Sequence, residues 1–301
     1  MRTILILGGP TGSGKNRLAL EIAGRYSAEI VNADSRQIYR GMPIGTNQPT
    51  PSEMGQIPHH LYGFLPPNAD FSVADYERLA LSVLEDIVSR NRLPIVVGGT
   101  GFYIRAVLKG VWPVPARDPE LRARLRGIAE RRGRNHLHGL LKRIDPESAA
   151  AIAANDSYRV MRALEIYFQT GRRRSEIRPV KEERFHALKY YLDLDVARLQ
   201  ANIESRTEAM FQAGWIEEVK TLSAQYPGFE SLPAARSLGY PEIILFLQDR
   251  LSLEACKQRI VRKTLQYSKR QRTWFRNQDR FEAATAELLH KTVDSVLQCD
   301  S

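Results

Sequence analysis

The chain has 301 residues, 43% of them hydrophobic, which is enough for one large domain or for a core with an inserted subdomain. Its formal net charge of +10 favours a polyanionic partner, of which nucleic acid is the commonest. No apolar run is long enough to span a membrane, and Met1 leads almost directly into a predicted strand, so we expect a cytoplasmic protein without a membrane segment. Cys256 and Cys299 have no C-x-x-C or histidine partner, so we expect neither a disulfide framework nor a zinc site.

The first predicted element is a strand over the apolar run Thr3 to Leu7, and a glycine-rich loop follows it. The loop and the helical stretch after it match the G-x-x-x-x-G-K signature of phosphate-binding loops. Glycines let backbone N–H groups converge on one anion, the helix N-terminus adds partial positive charge, and Lys15 adds a full one. The sequence therefore predicts that a diphosphate or polyphosphate is bound by Gly9, Pro10, Thr11, Gly12, Ser13, Gly14, Lys15 and Asn16.

The residue after Lys15 departs from the signature. This position normally carries Ser or Thr, whose hydroxyl helps to hold Mg²⁺, and here it is Asn16. An amide oxygen is still a hard ligand. We therefore expect Mg²⁺ as the cofactor, held weakly by Asn16 and mostly through the bound diphosphate.

Two further predicted strands each end at polar residues. Glu29 to Ala33 ends at Asp34, Leu93 to Val97 ends just before Thr100, and each is expected to lead into a helix. Repeated strand-loop-helix units predict a parallel sheet, whose ligands sit off the carboxyl ends of the strands. Asp34 and Thr100 should therefore converge on the phosphate loop. Asp34 can accept a proton or hold a metal there, or it can simply cap a helix.

The middle of the chain changes character. Residues 43–70 are predicted to form a long ordered loop and Val73 to Arg90 a helix. Residues 116–184 are basic and strand-poor and are predicted to form helices throughout, after which Ala187 to Leu194 returns to strand character. The predicted fold is α/β, a P-loop NTPase-like parallel sheet flanked by helices, with core segments 1–115 and 185–301 and an all-helical insertion subdomain at 116–184.

Helices are also predicted over Val196 to Ala213, Tyr240 to Gln248 and Leu253 to Arg276. The last part of the third, from Gln266 onward, interleaves cations with aromatics, which suits phosphate contacts and base stacking. A solvated basic helix with one core-facing aromatic stripe has the same pattern. In the first helix, Asn202 and Arg206 lie four residues apart, so both side chains can face one cleft, where Arg206 is suited to bidentate phosphate contact.

Together these residues resemble the tRNA dimethylallyltransferase family, the bacterial tRNA isopentenyltransferases. The resemblance runs in order over nearly the whole chain and is carried by the motifs Gly9 to Lys15, Ala33 to Tyr39, Gly45-Thr46, Val97 to Tyr103, Asn155-Asp156 with Arg162 to Glu165, Gly239-Tyr240 and Lys269 to Arg276. It implies transfer of a dimethylallyl group from dimethylallyl diphosphate to N6 of adenosine 37, next to the tRNA anticodon, with Mg²⁺ assisting and no ATP consumed.

The resemblance also implies roles for individual residues. Asp34 would be the general base, Thr100 would lie near the acceptor adenosine, and Arg206 would contact the diphosphate. A monomer would bind the anticodon stem-loop. The implied tRNA contacts are Asp34, Ser35, Arg36, Gln37, Thr100, Arg122, Tyr158, Arg159, Arg162, Arg236, Tyr240, Lys269, Arg270 and Arg276.

Three residues depart from the family's pattern. Asn16 replaces Ser or Thr, Gln48 stands where the Gly-Thr-Ala-Lys-Pro motif has its lysine, and Asn202 stands where another arginine is usual. These losses predict weaker metal binding and slower turnover, and they leave a weakened, RNA-binding paralogue as an alternative. An adenylate isopentenyltransferase acting on free AMP and a small-molecule P-loop kinase are further alternatives, although free AMP needs neither the insertion nor the basic helix.

Overall fold

The computed structural model of the chain describes residues 3–177, 184–277 and 281–299. The chain forms two compact units. One is built from Met1–Leu108 together with Glu183–Ser301, and the other from Lys109–Glu182. We call them the core unit and the insertion unit, and each is described by itself.

A six-stranded sheet runs through the described part of the core unit, and all of its strand pairs are parallel. Its strands are β1 (Thr3–Gly8), β2 (Ala28–Asn32), β3 (His59–His60), β4 (Leu93–Gly98), β5 (His186–Tyr191) and β6 (Glu282–Ala283). Their spatial order is β3-β2-β4-β1-β5-β6. Gly8 pairs with Gly98 of β4 and with Tyr191 of β5, so the carboxyl ends of three strands lie side by side. The predicted parallel α/β sheet is confirmed.

Fourteen helices accompany the sheet in the described residues. In chain order they are α1 (Lys15–Arg25), α2 (Pro43–Thr46), α3 (Pro51–Gln56), α4 (Val73–Ser89), α5 (Gly101–Lys109), α6 (Pro119–Arg132), α7 (Arg134–Ile144), α8 (Pro146–Ala151), α9 (Ser157–Thr170), α10 (Val196–Gln212), α11 (Trp215–Gln225), α12 (Tyr240–Leu247), α13 (Leu253–Arg276) and α14 (Ala286–Cys299). None of them is long and apolar enough to cross a membrane.

The sheet is covered on both faces, which explains why its central strands β1 and β4 are largely apolar. Leu5 and Leu7 of β1 pack with α1 and α14 on one face. Ile4 and Ile6 pack with α4, α5 and the end of α13 on the other. All four side chains are fully buried, and each such burial stabilises the fold by roughly 1.5–3 kcal/mol.

A third apolar cluster lies away from the sheet, where α11, α12 and α13 meet the segment after β2. Trp215 is its largest buried side chain. A Cβ atom on Gly45 or Gly239 would lie 2.0 or 2.1 Å from the Trp215 ring, so glycine is required at both positions for this packing. The cluster forms a rigid support for the segment that carries Asp34.

The insertion unit has its own core. Helices α6 to α9 enclose buried apolar side chains, among them Leu125, Leu141 and Leu164. Inside this helical unit Glu165 is fully buried and forms ion pairs with Arg122 at 2.7 Å and with Arg162 at 3.3 Å. A buried carboxylate requires such cationic partners.

Some sequence predictions were wrong. No helix follows β2, because the Asn32 amide donates to the carbonyls of Asp34 (3.0 Å) and Leu61 (2.9 Å) and Tyr39 bridges to Leu65, which holds the segment in turns. Asp34 is therefore not a helix cap. Residues 43–70 contain α2, α3 and β3, where one long loop was predicted. The helices α11 and α14 were not predicted.

Candidate active site

The glycine-rich loop joins β1 to α1 at the carboxyl edge of the sheet. Gly12 and Gly14 have φ angles of 89° and 86°, in the left-handed region that favours glycine. Gly14 is the N-cap of α1, so the N–H groups of the first helical turn, from Lys15 onward, point out of the helix end without helical acceptors. This geometry is that of a backbone anion site.

Two cations face the loop. Lys15 is only 9% exposed, and its Nζ donates to the Pro10 carbonyl at 3.3 Å. Burial lowers the pKa of Lys15 to about 8, with the Asp34 carboxylate opposing this shift and Arg206 adding to it. Burial likewise lowers the pKa of Arg206, against the attraction of Asp34. Two cations in one poorly solvated site are costly unless an anion joins them.

Polar atoms without partners mark the same place. Among the described residues, buried Arg206 Nε and Ser13 Oγ have no hydrogen-bond partner. Buried donors are nearly always satisfied in folded proteins, so each unsatisfied one calls for an explanation. A bound anion supplies acceptors for both donors. The predicted phosphate loop and Arg206 therefore line one candidate anion site.

Asp34 lies directly after β2 and is held on both sides. Its backbone N–H donates to Asn32 Oδ1 at 2.8 Å, and its Oδ1 accepts from the Arg36 N–H at 2.8 Å. The carboxylate is half-buried and acts electrostatically on Lys15, on Arg206 and on the Tyr267 phenol. A fixed carboxylate beside an anion site can accept a proton from a bound substrate.

Thr100 lies beside the Asp34 segment. A Cβ atom on Gly98 would lie 2.1 Å from the Ala33 carbonyl oxygen, so glycine allows the two chain segments to approach. Thr100 Oγ1 accepts from the Ser35 N–H at 3.0 Å and is hydrogen-bonded to Tyr267. Burial raises the pKa of Tyr267 to about 12, so its phenol is neutral at ordinary pH.

Two cavities that share lining residues lie at this site. One of about 660 Å³ lies between the phosphate loop and α10. The other, of about 300 Å³, extends from Lys15 past Asp34 to the third apolar cluster. Lys15, Asn16 and Arg206 line both. The predicted site residues that line the second cavity are Thr11, Lys15, Asn16, Asp34, Ser35, Arg36, Gln37, Arg206, Arg236 and Arg270.

Two predicted RNA contacts of the core unit have structural roles. The prediction for Tyr240 was wrong, because its side chain is fully buried in the third apolar cluster and its hydroxyl donates to Glu218 at 2.6 Å. Gln37 is also buried, and its amide donates to the carbonyls of Thr46 and Asn47 at 3.1 and 2.5 Å. Glu218, in turn, accepts from the Ile44 and Gly45 N–H groups at 2.7 and 3.1 Å.

The basic end of α13 has two different faces. Lys269, Arg270 and Arg276 are exposed, and Arg276 pairs with Asp193 at 2.6 Å. The opposite face is buried against the site. There Ser268 Oγ donates to the Thr11 carbonyl at 3.1 Å, and Gln271 contacts both the phosphate loop and the Thr100 segment. The sequence did not predict this role, since a buried glutamine on a basic helix has no local signal.

In the insertion unit, Tyr158 is 52% exposed, and the guanidinium groups of Arg117 and Arg122 lie 5.5 and 5.0 Å from its ring centroid. Arg159 is exposed and pairs with Asp156 at 3.3 Å. Arg162 is committed to Glu165 and to the Pro115 carbonyl. Tyr158 and Arg159 thus remain accessible for RNA, whereas Arg162 and Arg122 also stabilise the unit.

The three departures from the family pattern have structural consequences. Asn202 Nδ2 donates to the Gly12 carbonyl at 2.8 Å, which fixes the phosphate loop to α10. Gln48 Nε2 donates to the Tyr39 carbonyl at 2.8 Å and to Thr46 Oγ1 at 3.2 Å. Asn16 is half-buried and lines both cavities.

Within the described residues, no group of three or more His, Cys, Asp or Glu side chains could hold a metal ion. The oxygen donors at the phosphate loop include the Asn16 amide and the Asp34 carboxylate, both of which line the second cavity. Hard oxygen donors suit Mg²⁺ when a diphosphate and water supply its other ligands. The donor set therefore fits Mg²⁺ carried mainly by a substrate.

Comparison with known proteins places these features in context. The sequence model of the IPP transferase family matches residues 37–278. The chain is similar to the tRNA dimethylallyltransferases of Symbiobacterium thermophilum, with 43% identity over 92% of this chain and 87% of that protein, and of Anaeromyxobacter dehalogenans, with 43% identity over 92% of this chain and 93% of that protein.

Solved structures agree with the sequence comparison. The tRNA isopentenylpyrophosphate transferase of Bacillus halodurans aligns with a TM-score of 0.73 and 32% identity over 99% of this chain and 97% of that chain. A eukaryotic dimethylallyltransferase acting on tRNA aligns with a TM-score of 0.79 and 28% identity over 91% of this chain and 70% of that chain.

Proposed function

The chain belongs to the IPP transferase family, and on that premise we propose that it transfers a dimethylallyl group from dimethylallyl diphosphate to N6 of adenosine 37 in tRNA. The observation that carries the proposal is the anion site itself. Arg206 Nε and Ser13 Oγ, which have no hydrogen-bond partner among the described residues, line one cavity together with Lys15, and Asp34 lines the other cavity together with Lys15 and Arg206. This arrangement matches a diphosphate leaving group next to a proton acceptor.

The diphosphate would bind to the backbone N–H groups at the start of α1 and to the two cations. Lys15 and Arg206 are placed to neutralise the charge that builds up on the departing oxygen. Fixed donors in a poorly solvated site stabilise developing charge without reorganising at the moment of reaction. The leaving group therefore needs no protonation by a separate acid.

The reaction is a substitution at C1 of the dimethylallyl group. The N6 amine of adenine supplies the electron pair for the new C–N bond, while the C1–O bond breaks and its electrons leave on the diphosphate. The amine is a poor nucleophile because its lone pair is delocalised into the ring. Asp34 would accept the N6 proton as the bond forms, and Thr100 would position the amine. The products are prenylated adenosine and inorganic diphosphate, with the proton on Asp34.

An adenine stacked in an anticodon loop is out of reach, so the base must be turned out of the stack to enter the second cavity. Arg36, Arg236 and Arg270 line this cavity. Lys269 is exposed and directly precedes Arg270 on α13. These cations suit the phosphates around an extruded nucleotide. Tyr158 and Arg159 are offered by the insertion unit for further RNA contacts.

Mg²⁺ is the proposed cofactor, and when bound it would add positive charge to the leaving diphosphate. Asn16 would contribute one neutral amide ligand, so this chain's own residues hold the ion weakly. Acting on tRNA, the enzyme is proposed to work in the cytoplasm and as a monomer.

A substrate panel tests the function. The purified protein is incubated with dimethylallyl diphosphate in three separate reactions. The acceptor is an anticodon stem-loop in the first, the same loop with guanosine at position 37 in the second, and free AMP in the third. The products are identified by mass spectrometry. We expect prenylation of the first loop alone. Prenylation of AMP would indicate an adenylate isopentenyltransferase, and RNA binding without product would indicate the weakened paralogue.

A further inference from the structure

Gln271 is buried, at 5% exposure, in the middle of the two loops that would hold the reacting groups. Its Oε1 accepts from the Thr11 N–H at 2.8 Å, and its Nε2 donates to the Gly99 carbonyl at 2.8 Å. Thr11 belongs to the phosphate loop, and Gly99 directly precedes Thr100. One side-chain amide therefore connects the leaving-group side of the site with the acceptor side.

The surrounding contacts fit this single side chain closely. A Cβ atom on Gly99 would lie 2.0 Å from Gln271 Nε2, so only glycine at position 99 allows the amide to approach. One helical turn earlier, Ser268 Oγ donates to the Thr11 carbonyl at 3.1 Å. Both backbone polar groups of Thr11 are thus hydrogen-bonded to side chains of α13. The Thr11 N–H is consequently occupied, and a diphosphate must use later N–H groups of the loop.

We infer that Gln271 is a positioning residue that fixes the separation between the phosphate loop and the Thr100 segment, and so between C1 of the prenyl donor and the acceptor amine. The inference rests on the proposed function. Gln271 contacts neither substrate. Its effect is geometric, because a misplacement of about 1 Å between reacting groups can cost roughly 100-fold in rate.

Gln271→Met tests the inference, since methionine keeps the length and volume of the side chain and loses both hydrogen bonds. We expect the single-turnover rate to fall about 30-fold, with tRNA affinity changed by no more than about twofold. The matched control is Gln258→Met, at an exposed glutamine of α13 whose amide bonds only to Glu254, and it should retain the full rate.

Gly99→Ala disrupts the same connection at the Gly99 side of the hydrogen bond. The new methyl group displaces the Gln271 amide, so this variant should lose rate to a similar extent. The double variant should be slower than either single variant by no more than about threefold, because both changes remove one connection. Fully additive losses, or a wild-type rate in Gln271→Met, would overturn the inference.

A readout independent of activity separates this inference from the proposed function. Hydrogen exchange of the Thr11 amide should speed up at least about tenfold in Gln271→Met, and dimethylallyl diphosphate should slow exchange of residues 98–101 in the wild type but not in the variant. If dimethylallyl diphosphate slows hydrogen exchange of residues 98–101 in a wild type that transfers no prenyl group, only the proposed function is contradicted. An active wild type whose residues 98–101 do not respond to the ligand would contradict only the positioning role of Gln271.

Discussion

Arginines in the cleft and in the insertion unit have opposite surroundings. In the cleft, Arg206 lies beside the phosphate loop and makes no ion pair with a described residue. In the insertion unit, Arg122 and Arg162 both pair with fully buried Glu165. The difference distinguishes a cation kept for a ligand from a cation that stabilises the fold.

The comparison has a physical basis. A buried charge is tolerated when its partner belongs to the protein, and it destabilises the free protein when its partner arrives with the substrate. Changes in the cleft should therefore affect binding and rate with little loss of stability. Changes around Glu165 should do the reverse.

The largest expected effect in the cleft is that of Asp34→Asn. The amide still accepts from the Arg36 N–H, so the local turn is retained, but it cannot take the N6 proton. We expect single-turnover prenyl transfer to fall by about 1,000-fold while stem-loop affinity is retained. A near-normal rate would exclude Asp34 as the general base.

The matching change in the insertion unit is Glu165→Gln. It leaves two half-buried arginines without their buried carboxylate partner, and we expect a loss of about 3 kcal/mol in the free energy of unfolding, measured by urea denaturation. Glu120→Gln on α6 is the control, because its pair with Arg124 is exposed and 3.9 Å long, and its loss should cost less than about 0.5 kcal/mol. Weaker binding of dimethylallyl diphosphate in Glu165→Gln would break the comparison.

Arg206→Met removes the unpartnered cation. Affinity for dimethylallyl diphosphate should fall about 30-fold, since a charge-assisted contact is lost, and the melting temperature should stay the same or rise. Arg198→Met on the same helix is the control, because Arg198 is exposed at the rim of the first cavity, and it should change affinity less than about threefold. A clear drop in melting temperature for Arg206→Met would show that the arginine serves the fold.

Asn16→Thr should have the smallest effect. Threonine restores the hydroxyl of the usual signature, so the Mg²⁺ concentration for half-maximal rate should fall about two- to threefold, the diphosphate already supplying most ligands. A Mg²⁺ titration measures it. If the variant needs the same or a higher Mg²⁺ concentration for half-maximal rate, other groups of this site already compensate for the hydroxyl that Asn16 lacks.

The sequence predicted much of the core unit. The strands β1 and β4 were predictable because the sheet is buried on both faces and each of them is a largely apolar run followed by glycine, and β2 was predictable from its β-branched residues Ile30 and Val31. The phosphate loop, Asp34 and Thr100 could be placed at one edge because parallel strands end together.

What the sequence could not predict depends on contacts between distant residues. Gln271 and Thr11 are 260 positions apart, and no local pattern relates them. Tyr240 follows a glycine at the start of a helix, and only the packing of Trp215 against it shows that the ring is buried and unavailable to RNA. The segment after β2 was wrongly predicted to lead into a helix. The hydrogen bonds of Asn32 hold it in turns, and hydrophobic periodicity does not show them.

The central claim is that the cleft holds cations for an anion that the substrate brings, and Lys15 tests it most directly. Its pKa is lowered to about 8 in the free protein, and the diphosphate should raise it again. Binding then takes up a proton above pH 8. With the diphosphate fully ionised, affinity should fall roughly fivefold between pH 8 and pH 9.

The decisive measurement is calorimetric titration of dimethylallyl diphosphate, without RNA, at pH 8.5 in two buffers of different ionisation enthalpy. About three-quarters of Lys15 is neutral at this pH, so the wild type should take up roughly 0.7 proton per ligand, and Lys15→Met should take up almost none. No proton uptake by the wild type, or equal uptake by the variant, would contradict the account.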